Sequence, residues 1–278
     1  MNLDLLQTLL FVPANRPERY AKALASGADA IIIDLEDAVG VQDKACARAL
    51  LAHWLGTQPP ACVLVRINAA ATPWFADDLA VCRAPAVAGI VVPKAESAGE
   101  LTRLAELCDK PLLPIIESAA GLAAVASLAA CRHVVRLLFG KLDLAVDLGL
   151  DYPPPAGEDV DETVFAYARS QLVLASRLAS LPPPLDGVYT ALGDTDGLTR
   201  YVRNGLRAGF GGMLLIHPAQ VAAVQAASRP DAVQLGWARR VSAASLQAAG
   251  AAICLDGAMV DAPVVLRARA LLRRAGAA

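Results

Sequence analysis

Three side chains that could act together stand at or just past the ends of short apolar runs. Arg66 closes VLVRIN, Glu117 closes LLPIIES and Asp143 follows VVRLLFG. Glu117 and Asp143 are 26 residues apart, the length of one strand–helix unit, which predicts that they end adjacent parallel strands. Carboxylates that converge in this way repel unless one is protonated or a cation bridges them. With no His or Cys nearby in sequence, oxygen ligands favour Mg²⁺ or Mn²⁺ over zinc. Acidic strand ends also serve solubility alone, and spacing does not separate the two readings.

Arg66 follows a run of apolar residues, and its guanidinium suits bidentate binding of a carboxylate or a developing enolate oxygen. A structural ion pair with Asp34, Glu36 or Glu117 is the competing reading. Lys94, after GIVVP, could form a Schiff base, although among carboxylates a protonated, salt-bridging lysine is favoured. IIIDLEDAV carries Asp34, Glu36 and Asp37. Glu36 and Asp37 could order metal-bound water, or Asp37 could cap the following helix. His217, before Pro218, reads as a hydrogen-bonded structural residue, and His53 and His133 as surface or helix-end residues. GFGG (209–212) lacks the GxxxxGK pattern and leads into a strand, so it is no phosphate loop.

The elements that must position these groups are legible from apolar runs followed by helical stretches. Strands are expected at Thr8–Val12, Ala30–Ile33, Val63–Ile67, Gly89–Val92, Leu112–Ile116, Val135–Phe139, Asp186–Tyr189 and Gly212–Ile216. Helical segments at Pro17–Ser26, Asp43–Leu55, Glu100–Cys108, Leu122–Ala130 and Leu198–Ala208 alternate with them, and Gly27, Gly56 and Gly209 mark helix C-caps. This alternation predicts a parallel TIM (β/α)8 barrel, in which functional groups gather at the C-terminal ends of strands. The wide gap before the seventh strand holds a Pro-rich stretch, Tyr152–Asp159, read as a lid or rim insertion, then a helix over about 161–180. The barrel is expected over residues 1–220. Residues 221–278 are expected to form a C-terminal helical arm, with helices at Ala238–Ala249 and Pro263–Ala275 around Leu255–Pro263, packing on a neighbouring subunit or else back on its own barrel.

Composition sets the outer bounds. A chain of 278 residues suits one barrel of about 250 residues plus an appendage. Hydrophobic residues make up 56% and charged residues 19%, enough for a large core and an apolar surface shared between subunits. A net charge of −2 gives no reason to expect nucleic acid or an anionic membrane as partner. The six cysteines have no metal or disulfide spacing and fit a reducing interior. No apolar run nears the ~20 residues of a membrane span, and MNLDLLQTLL lacks a basic leader region. A soluble cytoplasmic protein is expected.

Taken in order, LLFVPANRPER, DLEDAV, VRIN, VPKAES, PIIES, FGKLDLAVDLG, LIHPAQV and LDGAMVDAPVV resemble the citrate lyase beta-subunit-like family of the HpcH/HpaI aldolase superfamily, which includes malyl-CoA and citramalyl-CoA lyases. The resemblance covers nearly the whole chain. It implies Mg²⁺ on Glu117 and Asp143, substrate contact by Arg66, and an acid/base role for Asp261, supplied by a neighbouring subunit; nothing local to Asp261 suggests this. It further implies a homo-oligomer, trimeric or hexameric, acting on an acyl thioester carried by CoA or an acyl-carrier protein. The implied reaction is carbon–carbon cleavage of a 3-hydroxyacyl thioester such as citramalyl-CoA, malyl-CoA or a citryl thioester. Thioester hydrolysis and class II aldolase chemistry on 2-oxo acids are the alternatives. The chain departs from the family pattern at Gln7-Thr8, where Arg-Ser is common, at Ala14 in place of Gly, and at Ala191 in place of Asp.

Overall fold

Strands flanked by helices on one side and a filled interior on the other must be apolar on both faces, and the apolar runs here satisfy that condition. The computed structural model describes residues 3–57, 62–152, 162–248 and 251–275. Its strands β1 (Thr8–Pro13), β2 (Ala30–Asp34), β3 (Val63–Arg66), β4 (Val87–Val92), β5 (Leu112–Ile116), β6 (Leu138–Phe139), β7 (Leu185–Asp186) and β8 (Gly212–Leu215) pair in sequence order. All are parallel, and β8 returns to β1, closing an eight-stranded barrel. Between them run α1 (Tyr20–Leu24), α2 (Lys44–Leu55), α3 (Phe75–Cys82), α4 (Ala98–Leu107), α5 (Ala119–Ala129), α6 (Lys141–Asp147), α7 (Ala166–Leu178) and α8 (Thr195–Arg207), with α9 (Gln220–Ser228) after β8.

Alternation along each strand fixes what reaches the mouth. Leu9, Ile32, Leu64, Ile115 and Leu138 belong to one buried cluster. Two residues further along each of these strands lie Phe11, Asp34, Arg66, Glu117 and Gly140, and all five line one pocket. The period-2 rule thus turns an apolar interior into a polar mouth.

Several boundaries differ from the sequence reading, each for a local reason. β7 is Leu185–Asp186, not Asp186–Tyr189, because the Asp186 carboxylate accepts the Gly187 N–H at 2.9 Å and removes that donor from the ladder. Asp143 does not end a strand. Gly140 (φ −101°, ψ 72°) stops β6, and α6 begins at once, with Asp143 in its first turn. Gly27 and Gly209 take left-handed φ of 79° and 101°, as helix-ending glycines do. Gly56 is the C-cap of α2 as expected, with a right-handed backbone at φ −61°. Most of the Pro-rich Tyr152–Asp159 stretch lies outside the described residues. The helix expected after it is a 3₁₀ turn, Glu162–Phe165, followed by α7.

The chain divides into two compact units, Met1–Val224 and Gln225–Ala278. The second has its own core, where Ala238 and Val241 on α10 (Ala232–Gln247) meet Val265 and Ala268 on α11 (Ala262–Arg274), with Val260 beside them. A reciprocal capping box between Asp231 and Gln234 starts α10, satisfying two backbone donors at once. The segment read as a link between helices contains an antiparallel hairpin, β9 (Ile253–Leu255) and β10 (Ala258–Val260). Asp256 and Gly257 turn it at φ 52° and 78°, and Asp-Gly between apolar residues is the sequence signal for such a turn.

Candidate active site

Asp34 and Arg66 face each other in the β2–β3 register. Arg66 Nε donates to Asp34 Oδ1 at 2.7 Å, and Nη2 donates to Oδ2 at 2.6 Å. Asp34 is buried and also accepts the amides of Glu36 and Ala38 at 2.9 and 3.0 Å, so it orders the loop after β2 as well as the guanidinium. Glu36 Oε2 lies 3.1 Å from Arg66 Nη1, an ion-pair contact outside hydrogen-bond geometry. The Phe11 ring lies 4.8 Å from the guanidinium carbon. Burial works against the charge on Arg66, but the hydrogen bond and charge of Asp34, with Glu36 and Glu117, hold it firmly protonated.

Glu117 follows β5 and is 4% exposed. Its Oε1 accepts the Lys94 backbone N–H at 2.6 Å. The other side of the carboxylate faces Gly140, where any Cβ would collide with Glu117 Oε2. Burial pushes the Glu117 pKa up to about 8, against the Lys94 hydrogen bond and with help from the charges of Glu36 and Asp143. Burial also raises Glu36, with Arg66 opposing. These carboxylates crowd one mouth, a charge pattern that a cation would relieve.

The structure brings Arg66, Glu117 and Asp143 into one cavity of about 260 Å³, lined also by Asp34, Asp37, Lys141 and apolar Phe11, Ile115, Phe139, Val188 and Leu214. Asp37 caps no described helix; it is 58% exposed and 3.9 Å from Arg66 Nη1. Lys94 pairs with Glu36 at 3.3 Å. Desolvation opposes its charge, yet Glu36 and Asp37 hold its pKa above the ordinary lysine value, the state of a salt bridge and not of a Schiff-base nucleophile. His217 Nδ1 accepts the Ala219 N–H at 3.2 Å, a local structural bond. Asp261 is in the second unit, where its carboxylate accepts the Val264 N–H at 3.4 Å and caps α11.

The donor set suits one kind of metal. Among the described residues no three His, Cys, Asp or Glu side chains converge on a shared point, and the cavity lining contains no His or Cys. Two carboxylates with room for water and substrate oxygens match Mg²⁺, which keeps part of its hydration shell and seldom takes an all-protein cage. The oxygen-only set also admits Mn²⁺.

Lys44 was not singled out by the sequence. It is 5% exposed, and Nζ donates to Leu35 O, Glu36 O and Asn68 Oδ1, each at 2.7 Å. Asn68 Nδ2 and N in turn donate to Asp78 Oδ2 at 2.6 and 2.8 Å. This knot ties the chain just past β2 to the chain just past β3, behind the Asp34–Arg66 pair. A lysine opening a helix reads as solvated, so only the asparagine closing VRIN hinted at a polar partner.

Comparison with known proteins places these features in context. Residues 7–218 match the family model HpcH/HpaI aldolase/citrate lyase. The citrate lyase subunit beta-like protein of Mycobacterium tuberculosis is 38% identical over 273 residues, covering 97% of this chain and 95% of that one. A (3S)-malyl-CoA thioesterase of Cereibacter sphaeroides is 34% identical over 278 residues, covering 98% and 95%. Protein CitE of Mycobacterium tuberculosis, in complex with magnesium, acetoacetate and coenzyme A, superposes with a TM-score of 0.87 at 36% identity, covering 99% of this chain and all of that one. Among the described residues, no helix is long and apolar enough to cross a membrane.

Proposed function

The chain belongs to the HpcH/HpaI aldolase/citrate lyase family, and from that premise we propose that it cleaves a carbon–carbon bond in a 3-hydroxyacyl thioester such as citramalyl-CoA, malyl-CoA or a citryl thioester. The observation that carries this reading is the meeting of a fixed guanidinium, Arg66, with the carboxylates Glu117 and Asp143 in one largely apolar cavity. Glu117 and Asp143 would hold Mg²⁺, with Glu36 and Asp37 ordering water beside it. When bound, the ion supplies Lewis-acid stabilisation of negative charge on substrate oxygens.

The chain's own groups then have separable tasks. Arg66, clamped by Asp34 and with Glu36 beside Nη1, would present its fixed guanidinium to charge that develops as the bond breaks, a preorganised contribution that dominates many active sites. Phe11, Phe139, Val188 and Leu214 limit water around the reacting atoms. Asp261 would take the proton of the 3-hydroxyl; the C2–C3 electron pair passes to the thioester as an enolate, and C2 is then protonated. The products are a carbonyl acid and a shortened acyl thioester. Asp261 would come from a neighbouring copy in a trimer or hexamer. Supporting this, the second unit exposes Val233, Leu246, Met259 and Leu266, apolar surface suited to a subunit contact.

A second cleft of about 350 Å³ shares Phe11 and Ile216 with the cavity and is lined by Arg19, Lys22 and His217, with no acidic side chain. This basic wall suits the phosphates of a CoA carrier. Thioester hydrolysis is the second reading, favoured by the malyl-CoA thioesterase relative; it would use the same groups, with water attacking the thioester carbon. The free thiols support a reducing, cytoplasmic setting. The test is to incubate the protein and Mg²⁺ with citramalyl-CoA, malyl-CoA and citryl-CoA and follow carbonyl acid and free thiol separately. Carbonyl acid without thiol establishes the lyase, thiol with intact hydroxy acid establishes the hydrolase, and neither product from any substrate defeats both.

A further inference from the structure

Lys94 has φ of 47°, a left-handed conformation uncommon for residues with a side chain and concentrated at functional sites. Lys94 comes two residues after the end of β4, and in this conformation its N–H meets Glu117 Oε1 at 2.6 Å. Both flanks of the turn are fixed. Ala95 N–H donates to Ile115 O at 3.3 Å, and Ala95 O presses so closely on α5 that a Cβ at Gly121 would lie 2.6 Å from it. The Lys94 side chain, by contrast, is 50% exposed and reaches Glu36 rather than Glu117.

We infer that position 94 positions Glu117 through its left-handed backbone amide and not through its ammonium group. The amide holds one carboxylate oxygen, Gly140 leaves room at the other, and Glu117 is thereby set in one orientation before any ligand arrives. The inference rests on the reading of Glu117 as a metal ligand.

Four variants separate backbone from side chain, because all of them lose the ammonium. Gly and Asn accept the left-handed conformation, whereas β-branched Thr and Val resist it. Mn²⁺ affinity, measured by titration with electron paramagnetic resonance, is the readout, with circular dichroism confirming the fold. Lys94→Gly and Lys94→Asn should bind Mn²⁺ within about threefold of wild type, and Lys94→Val about 10–100-fold more weakly, the usual cost of losing a partner that orients a ligand. Should Lys94→Val not fold, β-branched Lys94→Thr supplies the comparison, with an affinity below that of Lys94→Gly. Equal loss in all the variants would assign the role to the ammonium, and unchanged affinity in the folded Val or Thr variant would make the amide irrelevant; either overturns the inference. Wild-type protein that fails to bind Mn²⁺ would instead defeat the metal reading, and this inference with it.

Discussion

Asp34 holds Arg66 by two hydrogen bonds of 2.7 and 2.6 Å between residues opposite each other in adjacent strands. The paired edge that could have gripped a substrate carboxylate is therefore already engaged, and the guanidinium is a fixed electrostatic element with only part of its donor set facing the cavity. A lysine carries the charge but cannot span both Asp34 oxygens. Arg66→Lys should lower kcat/KM by about 10²–10³-fold, the scale set by removing one preorganised donor. Near wild-type kinetics in that variant would count against the role assigned to the fork.

Glu117 and Asp143 supply the only acidic pair proposed to touch the ion, so removal of either leaves too few ligands. Glu117→Ala and Asp143→Ala should fold normally, lose Mn²⁺ binding in calorimetry and lose turnover. Retained Mg²⁺-dependent activity in either variant would refute the assignment.

The raised pKa of Glu117, about 8, gives the metal site a pH signature. A carboxyl whose folded pKa lies above its ordinary value binds more protons in the native state than in the unfolded one. Metal-free stability from this group is therefore greatest in acid and is lost as pH rises from about 4.5 toward 8. An incoming cation must displace that proton, so its affinity should rise by up to about tenfold per pH unit and level off above pH 8. The Mg²⁺-induced rise in Tm should be larger at pH 8.5 than at pH 6.5, and Glu117→Gln should abolish the difference. Equal Mg²⁺ shifts at both pH values in wild type would show that no such proton is displaced.

Lys44 gives a prediction about stability. Its ammonium satisfies the carbonyls of Leu35 and Glu36 and the Asn68 side chain. Lys44→Met retains much of the volume but leaves Asn68 Oδ1 without a donor, while Leu35 O keeps Asn68 Nδ2 and Glu36 O keeps the Val39 N–H, at a cost of about 1–3 kcal/mol for the group left unsatisfied. Urea unfolding should show a loss of about 1–3 kcal/mol, and an unchanged midpoint would mean that water replaces the ammonium without penalty.

The barrel was legible because each strand is a short apolar run with a helix after it, and because alternation carries Ile32 to Asp34, Leu64 to Arg66 and Ile115 to Glu117. What escaped notice depends on contacts distant in sequence. The start of α6 at Lys141 was hidden because FGKLDL continues an apolar strand without a capping side chain. Lys44 is buried by the turn between β2 and α2, which no local pattern announces. Asp34 looked like one of three interchangeable acids until the β2–β3 register set it opposite Arg66. The hairpin of the second unit did have a signal, Asp256-Gly257, masked by the helices on either side.

Asp261 offers the sharpest test of how the site is completed. It caps α11 within a unit that has its own core, and the proposed chemistry needs its carboxylate within hydrogen-bond reach of the substrate hydroxyl. If a neighbouring copy supplies it, Asp261→Ala and Glu117→Ala each inactivate the protein for different reasons. Mixing the two under subunit exchange creates some sites with an intact barrel and an intact Asp261. Part of the wild-type activity should return, in proportion to the fraction of mixed assemblies seen by native mass spectrometry. Exchange without recovered activity would place Asp261 either over its own barrel or outside the chemistry, and Asp261→Asn separates those cases, since a residue outside the chemistry leaves kcat unchanged.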